Sequence, residues 1–310
     1  MITNVFKKST PIIYSLIIVL VVSFFFLYQF QTNNWSNSVT EILKKTGLLF
    51  IICGSFFLSN FIAKKNGLTK DSSYTILFYL ILLLSFPSIW NNFNLIVSNF
   101  FILLALRRLV SLQTLKAPKE KIFDASLWIF MASFFQFWAI LFIFIVYLSI
   151  IFHVSRDYRN WLVPFVALFS GVIIFVFFAL LLDKSFIMYN YLENSNMSFD
   201  MDYFENNYQN IALSWFAIFV VFFFFATIIS LTKLPLNLQA SYKKIVFSFL
   251  IGIAIFIISP NKSNDILIFT FFPLAIMATN FIEYSQNKIH QEIILATTFI
   301  VGLICFFTQL

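Results

Sequence analysis

Charged residues and glycine are both scarce in this chain of 310 residues. Only 11% of the residues are Asp, Glu, Lys or Arg, which is too few to cover a soluble protein of this size with a charged surface. Only 6 residues are glycine, and no glycine-rich phosphate loop, G-x-S-x-G elbow or nucleotide fingerprint occurs. These shortages exclude an ordinary soluble domain and the common nucleotide-binding and hydrolase motifs.

Cysteine and histidine are also rare, with two residues of each type. Cys53 and Cys305 lie in apolar runs without a CxxC pair, and His153 and His290 have no HExxH or other ligand spacing. We therefore expect neither a bound metal nor another cofactor. No basic run is interleaved with aromatic residues, so we expect no nucleic-acid partner.

Apolar residues are abundant: 61% of the chain is hydrophobic and 46 residues are phenylalanine. Runs of this kind, separated by polar turns, are typical of membrane helices. We predict an all-α, polytopic helical membrane protein whose residues 1–310 form a single transmembrane domain. The apolar runs fall at about 11–28, 46–63, 72–90, 93–106, 122–154, 161–182, 211–232, 245–259, 266–282 and 293–308.

The long run 122–154 is either one helix or a hairpin. As one helix it would be about 48 Å long at roughly 1.5 Å per residue, well beyond the membrane thickness. A turn near Gln136 puts 16 of the 20 Lys and Arg residues on the inner side, against 12 for a single helix. We therefore predict a short helical hairpin at 122–154 and about 11 spans, with the N-terminus inside and the C-terminus outside. Two short crossings are favoured over a re-entrant pair, which the charge count also allows.

Two loops between the predicted spans are long enough to carry a functional surface. One is a basic inner loop at 107–121, and the other is an acidic outer loop at 183–210. In the outer loop, Asp200, Asp202 and Glu205 are close enough to hold a divalent cation or to act as a general base on a lipid-linked substrate. The alternative is a solvated loop with interfacial tyrosines.

Arginines near the inner membrane boundary are candidates for binding a phosphate or a lipid head group. Arg107 and Arg108 are adjacent, while Arg156 and Arg159 are three positions apart and could share one face of a helix. The alternative is that they only mark the cytoplasmic side. Within the predicted hairpin the polar residues are Asp124, which could pair with Lys121 or Arg108, and Gln136 at the tip.

The segment from about residue 90 to 185 carries one short motif in the predicted hairpin and a second after it, with the residues Phe123, Asp124, Ala125, Ala132, Ser133, Arg156, Arg159, Trp161 and Gly171. In these residues the segment resembles an uncharacterised polytopic inner-membrane protein family of Bacteroidota. That family has a hairpin pattern "fDAgl..giASlfy.p" followed by "R.w.Rew....G...P", whereas Trp128 and Gln136 depart from it here. The hairpin also distantly resembles C-type glycosyltransferases and O-antigen polymerases. This resemblance implies activity on a polyprenyl-linked sugar, with Glu41 as the catalytic candidate, because those enzymes usually carry an acidic residue in their first outer loop and here only Glu41 is available.

Three functions follow in order of preference for a multi-pass protein of the cell inner membrane. The first is a subunit or scaffold in envelope biogenesis, with membrane lipids and other inner-membrane envelope proteins as partners. The alternative is a glycosyltransferase- or polymerase-like enzyme that acts on a polyprenyl-linked glycan. The third is a small-molecule or lipid transporter. The sequence leaves enzymatic activity open.

Overall fold

The protein is all-helical in the part of the chain that the computed structural model describes, which is residues 2–31, 39–181, 195–199, 206–232, 235–260, 262–285 and 287–310. Within these ranges there is no β-strand, and short 3-10 helices at Pro87–Asn91, Ser111–Thr114, Phe137–Phe142 and Asn264–Leu267 join or extend the α-helices. The α-helices are α1 (Ile2–Phe6), α2 (Pro11–Gln31), α3 (Val39–Lys65), α4 (Tyr74–Ser85), α5 (Phe93–Val110), α6 (Pro118–Phe135), α7 (Ile143–His153), α8 (Arg159–Leu181), α9 (Asn207–Leu231), α10 (Leu236–Ile258), α11 (Ile268–Tyr284) and α12 (Lys288–Thr308).

Eight helical segments in these ranges are long and apolar enough to cross a membrane. Two further apolar helices, Tyr74–Ser85 and Phe137–His153, are shorter. The chain is therefore a multi-pass membrane protein. The eight segments are Pro11–Gln31, Glu41–Lys65, Phe93–Thr114, Arg159–Leu181, Asn207–Leu231, Leu238–Ile258, Asn264–Tyr284 and Lys288–Thr308.

Helices α4 and α11 form the centre of the bundle. Every residue of α4 is buried, and 94% of the apolar window that contains α11 is buried by the surrounding helices. Aromatic rings fill the space around them: Phe86 stacks on Phe271 with ring centroids 6.0 Å apart, and Phe78 contacts Phe223 at the same distance. A helix that is apolar on all sides has to be enclosed in this way or face lipid. In the part of the chain that the structure describes, side chains therefore fill the interior around these two helices.

The run 122–154 is broken at Gln136. Helix α6 ends at Phe135, Gln136 has an extended backbone (φ −138°, ψ 106°), and a 3-10 helix leads into α7. The two ends of the run are joined by an ion pair in which Lys119 Nζ lies 3.1 Å from Asp157 Oδ2. Because these ends meet, the run is a helical hairpin.

Polar contacts concentrate at the two ends of the bundle. We call the end where α3, α5, α7 and α11 finish the basic end; there Lys64 Nζ lies 3.0 Å from Asp71 Oδ1, and Gln113 Nε2 donates to the Asn66 carbonyl at 3.2 Å. At the opposite, distal end, Gln29 Nε2 donates to Asn91 Oδ1 at 2.8 Å. Between the two ends, hydroxyl groups mostly donate to carbonyls of their own helix, as a membrane interior requires.

Candidate functional site

Positive charge is concentrated at the basic end, around the ends of α3 and α5 and the start of α6. Two ion pairs neutralise part of this charge: Lys64 with Asp71, and Arg108 Nη2 with Asp124 Oδ2 at 2.8 Å. Lys121 lies close enough to Arg108, Lys116 and Lys65 to be repelled by them electrostatically. The cations therefore exceed the acids that pair with them. The six cations are Lys64, Lys65, Arg107, Arg108, Lys116 and Lys121.

A lateral groove of about 900 Å³ opens between α2 on one side and α3 with α5 on the other. Its volume is within the range of pockets that hold small organic ligands. Most of its wall is apolar, and its polar groups gather at the basic end. The apolar wall includes Ile18, Gly54, Phe57, Leu58, Phe61 and Phe100, and the polar mouth includes Tyr14, Asn60, Lys64, Lys65 and Arg107.

A hydrogen-bond network positions one side of this mouth. The hydroxyl of Tyr14 accepts from Lys64 Nζ at 2.8 Å and from Asn60 Nδ2 at 2.7 Å. Lys64 also bonds to Asp71, which accepts a short hydrogen bond from Ser9. The Ser9 hydroxyl and the Lys64 ammonium hold the pKa of Asp71 below its usual value, so this carboxylate stays charged at neutral pH.

The other side of the mouth carries two cations on one aromatic ring. Lys65 Nζ and Arg107 Cζ each lie 4.9 Å from the centroid of the Phe61 ring. Such cation–π contacts fix a cation without neutralising its charge. Within the described residues no carboxylate lies within 4.0 Å of either cation, because the three ion pairs found there involve other residues.

The four arginines predicted to bind phosphate do not form one site. Arg107 lines the groove, whereas Arg108 is paired with Asp124. The prediction that Arg156 and Arg159 share a helical face is wrong, because α8 begins only at Arg159 and Arg156 lies in the preceding turn. Phosphate binding by any of these residues stays a prediction.

The predicted catalytic acids lie far from these cations or outside the described residues. Glu41 is exposed in the first turn of α3, and Lys65 ends the same helix. Their separation of 24 positions corresponds to about 36 Å at roughly 1.5 Å per residue. Asp200, Asp202 and Glu205, with most of the acidic loop 183–210, fall outside the described residues.

The two polar residues predicted inside the hairpin both have partners. Asp124 pairs with Arg108, one of the two partners that the sequence proposed. Gln136 Nε2 donates to Ser259 Oγ at 3.1 Å, which connects the hairpin tip to the end of α10. Both side chains therefore hold helices together in the structure.

Sequence reasoning missed one buried polar contact at the basic end. Lys244, on α10, is fully buried; its Nζ donates to the Leu109 carbonyl at 2.6 Å and lies 3.1 Å from His153 Nε2. Leu109 is 135 positions from Lys244 and His153 is 91 positions from it, so no sequence-spacing rule connects these residues. Among the described residues no three His, Cys, Asp or Glu side chains come together as a metal site would require.

The fold and the groove define a multi-pass helical membrane protein with a basic end. A family model described as a family of unknown function (DUF6427) matches residues 1–310. The chain belongs to this family. No curated protein and no solved structure matches it. Its resemblance to C-type glycosyltransferases and its origin in Bacteroidota stay predictions.

Proposed function

We propose that this protein is a non-catalytic subunit or scaffold of the inner membrane that acts in envelope biogenesis. The observation that supports this role is the filled interior around α4 and α11. Interlocking aromatic rings give a densely packed core, and interiors packed in this way have low compressibility and resist rearrangement. A rigid body of this kind suits a structural subunit better than a transporter whose central helices alternate between states.

The proposed topology has eleven crossings. To the eight long segments it adds α4, the segment Phe137–His153 and α6, whose 18 residues include four charged ones near its start. The contact between Lys119 and Asp157 supports this arrangement, because it puts both ends of the hairpin on one side. We place the basic end in the cytoplasm, since Lys and Arg accumulate in cytoplasmic loops.

The alternative function is an enzyme that acts on a polyprenyl-linked glycan. The geometry disfavours Glu41 as the catalytic base of such an enzyme. A polyprenyl-linked sugar carries its phosphate next to the reacting carbon, so a base and a phosphate-binding cation have to lie close together. Glu41 and Lys65 lie at opposite ends of α3. An enzyme would therefore need its acid in the outer loop, at Asp200, Asp202 or Glu205.

Complementation of a gene deletion distinguishes the two roles. Glu41, Asp200, Asp202 and Glu205 are replaced singly by alanine and expressed in cells that lack the native gene. The scaffold proposal predicts that all four variants restore envelope integrity to the wild-type level at normal protein abundance. If any one of them fails while its abundance and membrane insertion are normal, the non-catalytic role is wrong and that acid belongs to an active site.

A further inference from the structure

The lateral groove has the dimensions of half a bilayer. Its wall on α3 extends from Gly54 to Lys65, which is 11 positions or about 17 Å at roughly 1.5 Å per residue. A hydrocarbon core about 30 Å thick gives each leaflet about 15 Å. A molecule that lies along the groove with its polar group at the basic end therefore spans one leaflet.

The chemistry of the groove changes along this length as it does in a phospholipid. Phe57 is 54% exposed on the apolar wall, so an acyl chain can reach it directly from the bilayer. At the mouth, Lys65 Nζ and Arg107 Cζ each lie 4.9 Å from the centroid of the Phe61 ring, and no described carboxylate pairs with either cation. A phosphate within reach of both side chains would receive charge-assisted hydrogen bonds, and an arginine can give two at once.

We propose that the lateral groove is a binding site for an anionic glycerophospholipid of the adjacent leaflet. Lys65 and Arg107 bind its phosphate. Lys64 is already bonded to Tyr14 and Asp71, and it adds positive charge at the mouth without contacting the phosphate. One acyl chain lies along Ile18, Phe57 and Phe100. This proposal holds whether or not the protein acts as a scaffold.

The choice of a glycerophospholipid over a polyprenyl phosphate follows from length and from charge. The groove ends after about one leaflet, which matches an acyl chain and is shorter than an extended long-chain polyprenol. Lys65 and Arg107, which have no carboxylate partner in the described part of the chain, attract a net negative head group such as that of phosphatidylglycerol more than a zwitterionic one. Phosphatidylcholine, which carries the same chains, is therefore the matched reference lipid.

Native mass spectrometry of the full-length protein tests this site. The protein is titrated in detergent with phosphatidylglycerol, with phosphatidylcholine of the same chain length, and with a long-chain polyprenyl phosphate. We expect one phosphatidylglycerol to bind with about tenfold preference over phosphatidylcholine, because the choline cation of phosphatidylcholine offsets the negative charge that Lys65 and Arg107 attract. A preference for the polyprenyl phosphate, or equal binding of all three lipids, overturns the proposal.

Two pairs of variants locate the lipid. Arg107→Gln should lower the affinity for phosphatidylglycerol about tenfold, while Arg156→Gln, an exposed arginine at the same end but outside the groove, should leave it unchanged. Ser15→Trp fills the apolar part of the groove from α2 and should also prevent binding; Ile12→Trp, on the same helix outside the groove lining and 76% exposed, should not. Equal effects of the members of either pair mean that the lipid binds elsewhere.

Discussion

Gly171 fixes how closely α8 approaches α6. The ring of Phe130 occupies the space next to it, and a Cβ on residue 171 would lie 2.4 Å from Phe130 Cδ1. Phe130 is buried and held edge-on by Phe134, with ring centroids 4.6 Å apart. Small residues at such crossings let membrane helices pack backbone against side chain. With only 6 glycines in the chain, each close crossing depends on a particular residue.

Replacing Gly171 by alanine should destabilise the protein by about 1–3 kcal/mol, because the added methyl group overlaps the ring of Phe130. Gly47→Ala is the control: no atom lies within 4 Å of a Cβ there, so the change should be neutral or stabilise α3 by up to about 1 kcal/mol. Unfolding in a mild detergent measures both. Phe130→Leu in the Gly171→Ala background should recover part of the loss; a Gly171→Ala protein as stable as wild type contradicts this packing.

Individual residues of the groove were harder to predict than the helices that carry them. The adjacent pair Arg107 and Arg108 was recognised from the sequence as lying near the inner membrane boundary. That Arg107 faces Phe61 while Arg108 faces Asp124 depends on the contact between α3, α5 and α6. Neighbouring residues on a helix point about 100° apart, so one of the pair lines the groove and the other does not.

At the scale of elements, the charge pattern of the sequence and the backbone geometry of the structure both indicate the hairpin of α6 and α7. The apolar run gave no internal boundary by composition, and a turn near Gln136 was indicated by the length of the run and by the distribution of Lys and Arg. In the structure the Gln136 N–H donates the last hydrogen bond of α6 to the Ala132 carbonyl, and the Gln136 carbonyl accepts the first bond of the 3-10 helix, from the Ala139 N–H. The run 72–90 shows the opposite case, because it was predicted as one span and is divided into α4 and a 3-10 helix. Pro87 begins that 3-10 helix, since proline lacks an N–H and constrains the residue before it.

Cysteines at the two ends of the hairpin should be close enough to crosslink. In a chain without Cys53 and Cys305, the pair Lys119→Cys and Asp157→Cys replaces an ion pair of 3.1 Å, and a short bismaleimide should join it in high yield. The matched control combines Lys119→Cys with Lys262→Cys, which follows α10 at the distal end and should not crosslink. Mass spectrometry of the digested protein measures both; an uncrosslinked first pair in a folded protein means that the run does not turn back.

At the scale of the whole molecule, the sequence predicted the class of protein but not the arrangement of the helices in its interior. Hydrophobic content and spacing predicted an all-helical membrane protein, which the structure confirms. They did not predict that α4, with only 12 residues, would be completely enclosed, or that α11 would be its central partner. Burial of one apolar helix among others leaves no periodic signal, because all of its faces are apolar. The enclosed pair is nevertheless the feature on which the structural role rests.

Aqueous access to α11 is the measurement that tests this role most directly. Ala275 and Ala278 are fully buried in α11, and each is replaced by cysteine in a chain without Cys53 and Cys305. Asp71→Cys, at a position with an 82% exposed side chain, serves as the reactive control. With a membrane-impermeant maleimide applied to both sides of the membrane, the account predicts rapid labelling at position 71, and labelling at 275 and 278 only after the protein is unfolded. Labelling of either α11 position in the folded protein would reveal a water-filled path through the bundle and contradict the scaffold in favour of a transporter.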